Sequence, residues 1–290
     1  MRRIPMRRIL QRLSVRRLFM RRISIGTVLL LCAVAPALYP ATALTIAGGM
    51  PVEDTLSVKI DGDLSTFSYY DIGFTFDPVL RNLFFSSATF NIWLFRFGIG
   101  ALLSVIDEGG VKYAPGVSGS IGIEAPGAIS LYVEVGMNLL DDLVGGDDTI
   151  WNYGKLAAAI WLPHLRPQLI AQKKSLKVGP VVNYNLEDTL VRYQALLDIY
   201  FNKASPFFIT LGGGYETLNT VIESIPAAPA SVRRRETETV SLFATFDASW
   251  EIHPDFTLLL NVEVPVSSQG GDTLFKAALG LKIMLSNFYW

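Results

Sequence analysis

The sequence predicts an all-β protein, a closed antiparallel transmembrane β-barrel that follows a cleaved signal peptide. Three observations predict this class. The chain begins with an arginine-rich leader, half of its residues are hydrophobic, and beyond the leader these residues alternate with polar ones over segments of roughly ten residues. No apolar run after the leader reaches the ~18 residues that a membrane-spanning helix needs. The membrane must therefore be crossed by strands.

The leader, residues 1–43, has the three parts of a secretory signal. Its start is rich in arginine, an apolar run extends from Ile23 to Ala35, and Ala41-Thr42-Ala43 fits a small-residue cleavage site. The alternative is an uncleaved anchor in the inner membrane. That alternative is disfavoured because the apolar run is short for a spanning helix and is followed at once by Pro36 and Pro40.

We predict cleavage after Ala43, which leaves a mature barrel domain at 44–290; initiation at Met20 is an alternative that shortens the leader. The leader contains nine arginines and no acidic residue, so the remainder has 16 basic and 26 acidic residues, a net charge of −10. The only cysteine, Cys32, lies in the leader. The mature chain is therefore expected to have neither a disulfide nor a cysteine metal site.

Alternation with period two is clearest in the segment 129–139. Its odd-numbered residues are apolar, and the residues between them are polar or small. Successive side chains of a strand point to opposite faces, so this segment has one apolar and one polar face. The same pattern recurs in 65–76, 95–106, 117–124, 190–202, 207–217, 239–252, 256–266 and 275–285. A soluble β-sandwich is the alternative, but its strands average about 5 to 6 residues, and this favours the membrane barrel.

Short and long connections alternate between these segments, as they do in bacterial barrels. We assign the short turns at 125–127, 203–206 and 253–255 to the periplasmic side. The long segments 140–153 and 218–236 are then extracellular loops, the second of which carries the basic run Arg233-Arg234-Arg235.

Parity then limits the number of strands, because an even number must separate two turns on the same side. The candidates between the first two turns are 129–139, 161–172, 175–184 and 190–202. With a first strand near 55–62, the best count is 12 strands, and 8 or 10 are the alternatives if the N-terminal segments do not join the wall.

A family resemblance appears around the second turn. The stretch Tyr193–Asn202, followed by Ser205-Pro206-Phe207 and by Leu211-Gly212-Gly213-Gly214-Tyr215, resembles a strand-turn-strand unit of the OmpW-like small outer-membrane barrels. The resemblance implies an eight-stranded barrel that passes small, often hydrophobic, molecules. In addition, the ending Asn287-Phe288-Tyr289-Trp290 is similar to the aromatic-terminated closing strand that the outer-membrane assembly machinery recognises.

The polar face of the alternating segments supplies the candidate site. Acids outnumber bases on this face, which would favour cations in an aqueous pore. The alternative is a lattice of ion pairs that fills a narrow barrel. The residues predicted to line the lumen and bind solute are Arg96, Glu134, Arg192, Asp198, Asp247, Glu263 and Lys282.

These patterns predict a passive channel for small solutes, including hydrophobic ones, in the cell outer membrane. The alternative is a surface-binding or adhesion protein that acts through its extracellular loops. The two histidines, His164 and His253, lack an evident nucleophile with an orienting acid, and no phosphate loop, dinucleotide fingerprint or metal-ligand spacing follows the leader. We therefore expect no enzyme activity, cofactor, metal or nucleic acid; the expected partners are membrane lipid, the assembly machinery and small solutes.

Overall fold

The computed structural model describes residues 42–51, 55–65, 67–107, 111–125, 127–138, 149–181, 184–201, 206–224, 233–270 and 275–285. Within these residues, 14 strands form a closed antiparallel barrel in which each strand pairs with its neighbours in the chain. The strands are β1 (Thr42–Met50), β2 (Ser57–Ser65), β3 (Ser68–Asp77), β4 (Arg81–Ile92), β5 (Phe95–Asp107), β6 (Val111–Ala125), β7 (Ile129–Asn138), β8 (Thr149–Ile160), β9 (Leu165–Val181), β10 (Tyr184–Tyr200), β11 (Phe207–Ser224), β12 (Arg233–His253), β13 (Phe256–Gln269) and β14 (Lys276–Met284).

The barrel closes where the first strand meets the last. β1 and β14 are antiparallel, and their register runs from Ala43 opposite Met284 to Met50 opposite Ala277. Closure matters in lipid because an open sheet edge would leave backbone donors and acceptors without hydrogen-bond partners. The backbone groups of the described strands therefore meet partners on both sides.

The outer surface of the wall is apolar. On β7, the side chains of Ile129, Leu131, Val133, Val135 and Met137 are 43–51% exposed, and the residues between them point into the barrel. A soluble protein buries such a row, whereas a lipid-facing wall displays it. Because residues opposite each other on neighbouring strands share a face, the register fixes the orientation of the other strands in turn. The soluble sandwich is thereby excluded.

The predicted count of 12 strands, with 8 or 10 as alternatives, is wrong, because the barrel has 14. The eight strands implied by the OmpW-like resemblance do not fit either. One missed strand is β1, whose residues overlap the predicted cleavage site. Two more are β8, whose start falls in a predicted loop, and β4, where Leu83 and Phe85 face the lumen while Asn82 and Ser86 face outward by register. This reversal hides the alternation that the prediction depends on.

Four strands lie between the turns near 125 and 203, as parity predicts, but two of them are placed differently. The segments predicted as 161–172 and 175–184 belong mainly to the single long strand β9, and the predicted loop 140–153 contains the start of β8. The basic run Arg233–Arg235 likewise begins β12 and does not lie in a loop.

The two ends of the barrel differ in the length of their connections. At the end where β1 starts, each connection spans two to six residues, whereas at the opposite end the segments 139–148 and 225–232 are longer. Short turns are periplasmic and long loops extracellular in outer-membrane barrels, so we assign the second end to the cell exterior. Strands β9 to β12 are the longest of the wall, with 17 to 21 residues each.

A predicted feature at each end of the chain lies outside the described residues. The signal peptide falls on residues 1–41 almost entirely, and it stays a prediction; β1 begins at Thr42, so cleavage after Ala43 would remove its first two residues. The aromatic ending 287–290 is the second such feature. No helix among the described residues is long and apolar enough to cross a membrane.

Candidate functional site

The lumen is where the charged side chains of the wall meet. All seven residues of the predicted site lie on the inward side of their strands: Arg96 on β5, Glu134 on β7, Arg192 and Asp198 on β10, Asp247 on β12, Glu263 on β13 and Lys282 on β14. The structure divides them between four places in the lumen. Their role in solute binding stays a prediction.

Arg96 and Glu134 line a cavity of about 210 Å³ in the lumen, which we call the polar chamber. Its walls come from strands β3 to β8, and hydroxyl and charged groups dominate its lining. The polar side chains that line it are Tyr69, Asp71, Ser87, Thr89, Arg96, Ser118, Ser120, Tyr132, Glu134 and Lys155. A chamber of this composition can exchange the hydration shell of a small polar solute for protein hydrogen bonds.

The Arg96 guanidinium lies between two aromatic rings of the polar chamber. Its Cζ atom is 5.2 Å from the Tyr69 ring centroid and 5.5 Å from that of Tyr132. A nitrogen of the same group lies 3.6 Å from a Glu124 carboxylate oxygen. Cation–π contacts and this ion pair together hold the guanidinium against the wall. Arg96 is therefore a fixed positive charge and not a mobile one.

Glu134 and Lys155 also line the polar chamber, as cross-strand neighbours on β7 and β8. The Tyr153 hydroxyl donates to Glu134 Oε1 at 2.7 Å. The Lys155 ammonium lies 5.4 Å from the Tyr132 ring centroid. Within the described residues, neither Glu134 nor Lys155 forms an ion pair within 4.0 Å, so both charges face the cavity. Lys155 was missed from sequence because β8 was not recognised.

Arg192 is the centre of the second group. Its guanidinium bonds Glu216 at 2.9 Å and also Glu263, and it lies over the Phe243 ring with 4.1 Å between Cζ and the centroid. The Lys276 ammonium adds a contact of 3.7 Å to Glu263. These residues come from β10 to β14, so one connected network joins five adjacent strands.

Asp198 and Asp247 lie near the periplasmic end of the same wall. The buried Asp198 carboxylate accepts hydrogen bonds from Gln168 at 2.6 Å and Thr210 at 2.7 Å, and Arg166 lies 3.7 Å away. Asp247 accepts a hydrogen bond from the Asn261 amide. Both carboxylates are thus bound by neighbouring polar side chains of the wall.

The fourth group surrounds Lys282 beside the barrel seam. Its ammonium donates to Asp61 at 3.3 Å, and Lys59 lies 3.9 Å from Asp61 and 3.5 Å from Asp71. Lys59 and Asp61 are on β2, a strand whose lumen charges the sequence did not predict. Since β1 lies between β14 and β2, this group ties the closing strands together from inside.

Most of the lumen charges described above form ion pairs, and the lumen is not an acidic surface; Glu134, Lys155 and Asp247 form no ion pair among the described residues. Among the described residues, each group above pairs acids with at least one cation, and several of the cations, such as Lys59 and Lys174, were absent from the predicted face. The electrostatic potentials of a paired acid and base largely cancel beyond a few ångströms from the pair. The predicted bias toward cations therefore has weak support in this geometry.

The two histidines lie at the periplasmic turns. His164 Nδ1 is 3.2 Å from the Tyr200 carbonyl oxygen, and His253 Nδ1 is 3.2 Å from Asp255. Among the hydrogen bonds of the described residues, neither ring meets a serine, and Ser175 bonds Asn152 instead. Within the same residues, no three His, Cys, Asp or Glu side chains form a group that could hold a metal ion.

No family model matches this sequence, and neither does any curated protein. Solved structures of similar fold include the trimer form of OmpT, an outer membrane protein of Vibrio cholerae, with 6% identity, a TM-score of 0.39, and coverage of 84% of this chain and 97% of that one. A bacterial polysaccharide outer membrane secretin has 6% identity, a TM-score of 0.42 and coverage of 84% and 98%. An anion-selective porin from Comamonas acidovorans has 10% identity, a TM-score of 0.39 and coverage of 84% and 95%.

These similarities concern the barrel architecture alone. The location follows from the physical properties of the wall: a closed, even-stranded antiparallel barrel with an apolar exterior, a polar lumen and connections that are longer at one end. Such a barrel fits the bacterial outer membrane, where strands cross the lipid. The chain is an outer-membrane β-barrel.

Proposed function

We propose that the chain is a passive outer-membrane channel for small hydrophilic solutes. The observation that carries this proposal is the polar chamber, a cavity of about 210 Å³ lined by hydroxyl and charged groups inside an apolar wall. A barrel that served only as a surface platform would have no need of such a cavity. Hydrophobic solutes, which the OmpW-like resemblance implied, fit the polar chamber less well. Their entry would remove water from its polar side chains without replacing the lost hydrogen bonds.

Two finer expectations remain part of the proposal, and a third belongs to the alternative function. That the chain is not an enzyme stays a prediction; both histidines lie at turns, and within the described residues neither ring bonds a serine. Recognition by the outer-membrane assembly machinery rests on the C-terminal strand, and the aromatic ending lies outside the described residues. Adhesion through loops, the alternative function, depends largely on segments 139–148 and 225–232, which also lie outside them.

Uptake by proteoliposomes tests the channel directly. Vesicles that contain the refolded protein should swell in isotonic solutions of a small neutral sugar, whereas vesicles that contain the heat-unfolded protein should not. Absence of uptake for sugars and for amino acids alike would overturn the proposal. Uptake of alkanes in preference to sugars would show that the channel passes hydrophobic molecules and not hydrophilic ones.

Ion selectivity provides the first mutational prediction. Lys155→Glu places a second acid beside Glu134 in the polar chamber, and a wall charge of one sign enriches its counter-ions. We expect the cation-to-anion permeability ratio to rise about twofold or more above that of the wild type. The measurement is the reversal potential in a planar bilayer under a potassium chloride gradient.

The matched control is Lys177→Glu. Lys177 lies on β9 near the extracellular end, and its register with Ile150 places it on the outward side of the barrel. The same change of charge outside the lumen should leave the reversal potential where it was. If both variants shift it equally, the polar chamber does not lie on the ion path.

A further inference from the structure

The turn between β3 and β4 is folded into the barrel. It contains Pro78, Val79 and Leu80, and the side chains of Val79 and Leu80 are 0% and 1% exposed. This turn belongs to the extracellular end, where a hairpin tip normally meets water. Two fully buried aliphatic side chains at a hairpin tip therefore need a partner inside the lumen.

That partner is an apolar cluster on the inner wall, which we call the lumen cluster. Its members from the wall are all inward-facing by register, and they come from the extracellular halves of β5, β6, β8, β9 and β10: Leu102, Ile106, Ala114, Trp151, Leu176, Val178, Leu186 and Leu190. Val79 and Leu80 belong to the same cluster. Apolar side chains of these strands pack against the turn inside the lumen at this level, in contrast to the polar chamber below it.

Two ion pairs fasten the turn to the far wall. Arg81 bonds Asp188 on β10 at 2.5 Å, and Asp77 pairs with Lys174 on β9. Their partners are six strands further round a barrel of 14, almost half its circumference. Both pairs therefore run across the lumen and not along the wall.

The turn is also rigid in itself. Asp77 Oδ1 accepts hydrogen bonds from the backbone N–H groups of Val79 and Leu80, each at 2.9 Å, and the Ser104 hydroxyl donates to the Leu80 carbonyl. Asp188 is 3% exposed and accepts a further hydrogen bond from Thr220 at 2.7 Å. An acid buried in this way is stable only while its cation stays in place.

We propose that the β3–β4 turn is a plug that closes the channel, and that solutes pass only when it leaves the lumen cluster. This proposal rests on the proposed function and adds its regulation. A narrow apolar constriction excludes ions because water withdraws from it. Opening must break both ion pairs and expose Val79 and Leu80 to water, so the closed state is favoured.

The test is a variant that expels the turn. Val79→Asp together with Leu80→Asp puts two carboxylates where the structure has buried aliphatic groups, which disfavours the folded-in position. In a planar bilayer we expect intermittent openings from the wild type, enough for the slow sugar uptake expected of it, and about tenfold more current from the variant, because the turn no longer narrows the lumen. The matched control is Trp93→Asp with Leu94→Asp at the β4–β5 turn, where Trp93 is 85% exposed; its current should equal the wild type's.

A reversible cross-link keeps the plug testable if the double aspartate variant does not fold. The variant combines Arg81→Cys, Asp188→Cys and Cys32→Ser. A short bis-methanethiosulfonate reagent should link the turn of this variant to β10 and abolish the current. A reductant should restore the current. Equal, steady currents from the wild type and the expelled-turn variant, together with no effect of cross-linking, would overturn the plug and leave the channel intact. No current and no sugar uptake from a folded expelled-turn variant would overturn the channel itself.

Discussion

Replacement of Trp151 by alanine is expected to lower the free energy of unfolding by about 3–5 kcal/mol, the usual cost of removing a buried aromatic side chain. Trp151 is 0% exposed in the lumen cluster, and its indole N–H donates to the Ala114 carbonyl at 2.9 Å. Its ring stacks on Tyr153 with 6.4 Å between centroids. Gly116 leaves room for this ring, since a Cβ there would lie 2.3 Å from it. Alanine leaves a cavity that the rigid wall cannot close.

The measurement is unfolding by urea in lipid vesicles, followed by circular dichroism and by heat-dependent mobility in gels. The control is Trp93→Ala, which removes the same side chain from an exposed turn and should cost less than about 1 kcal/mol. Equal losses for the two variants would show that the lumen cluster does not stabilise the barrel. Because the same cluster holds the plug, Trp151→Ala should also increase the bilayer current, whereas Trp93→Ala should not.

The lumen cluster also explains which strands the sequence could not predict. The rule of alternation assumes an apolar outside and a polar inside, and β7 obeys it along its whole length. In β8 the inward residues include Trp151 while Asn152 faces outward, and in β4 Phe85 faces inward. A lumen that is apolar at one level reverses the pattern locally. β1 was not predicted for another reason: the small residues at its start also fit a signal-peptide cleavage site.

The candidate site could be predicted only in part, for a related reason. The period of a strand places Arg96 or Glu263 on the inner face, and the structure puts both there. Period alone does not show which charges meet across the lumen. Arg81 and Asp188 are 107 residues apart in the chain and on different sides of the barrel. Such pairs depend on strand number and register, which the sequence did not determine.

Arginine at Ile121 is expected to lower the free energy of unfolding in lipid by about 2–4 kcal/mol, the cost of a charge at mid-depth on the lipid face of a barrel. Ile121 is 57% exposed on β6 and lies opposite Val133, the middle residue of the apolar row on β7. A guanidinium there must either enter hydrocarbon or pull water and headgroups inward. The measurement is reversible urea unfolding in vesicles of fixed chain length.

Ser120→Arg is the matched control, one residue away and at the same depth. Ser120 lines the polar chamber, where water and acids can solvate a guanidinium, so its replacement should cost less than about 1 kcal/mol. The two variants add the same charge to opposite faces of β6. A larger loss at Ser120 than at Ile121 would mean that the side chains of β6 face the opposite way, and the lumen, the chamber and the plug would all have to be reassigned. The expected order of the two losses follows from the period of a strand, because neighbouring side chains on β6 meet solvents of opposite polarity.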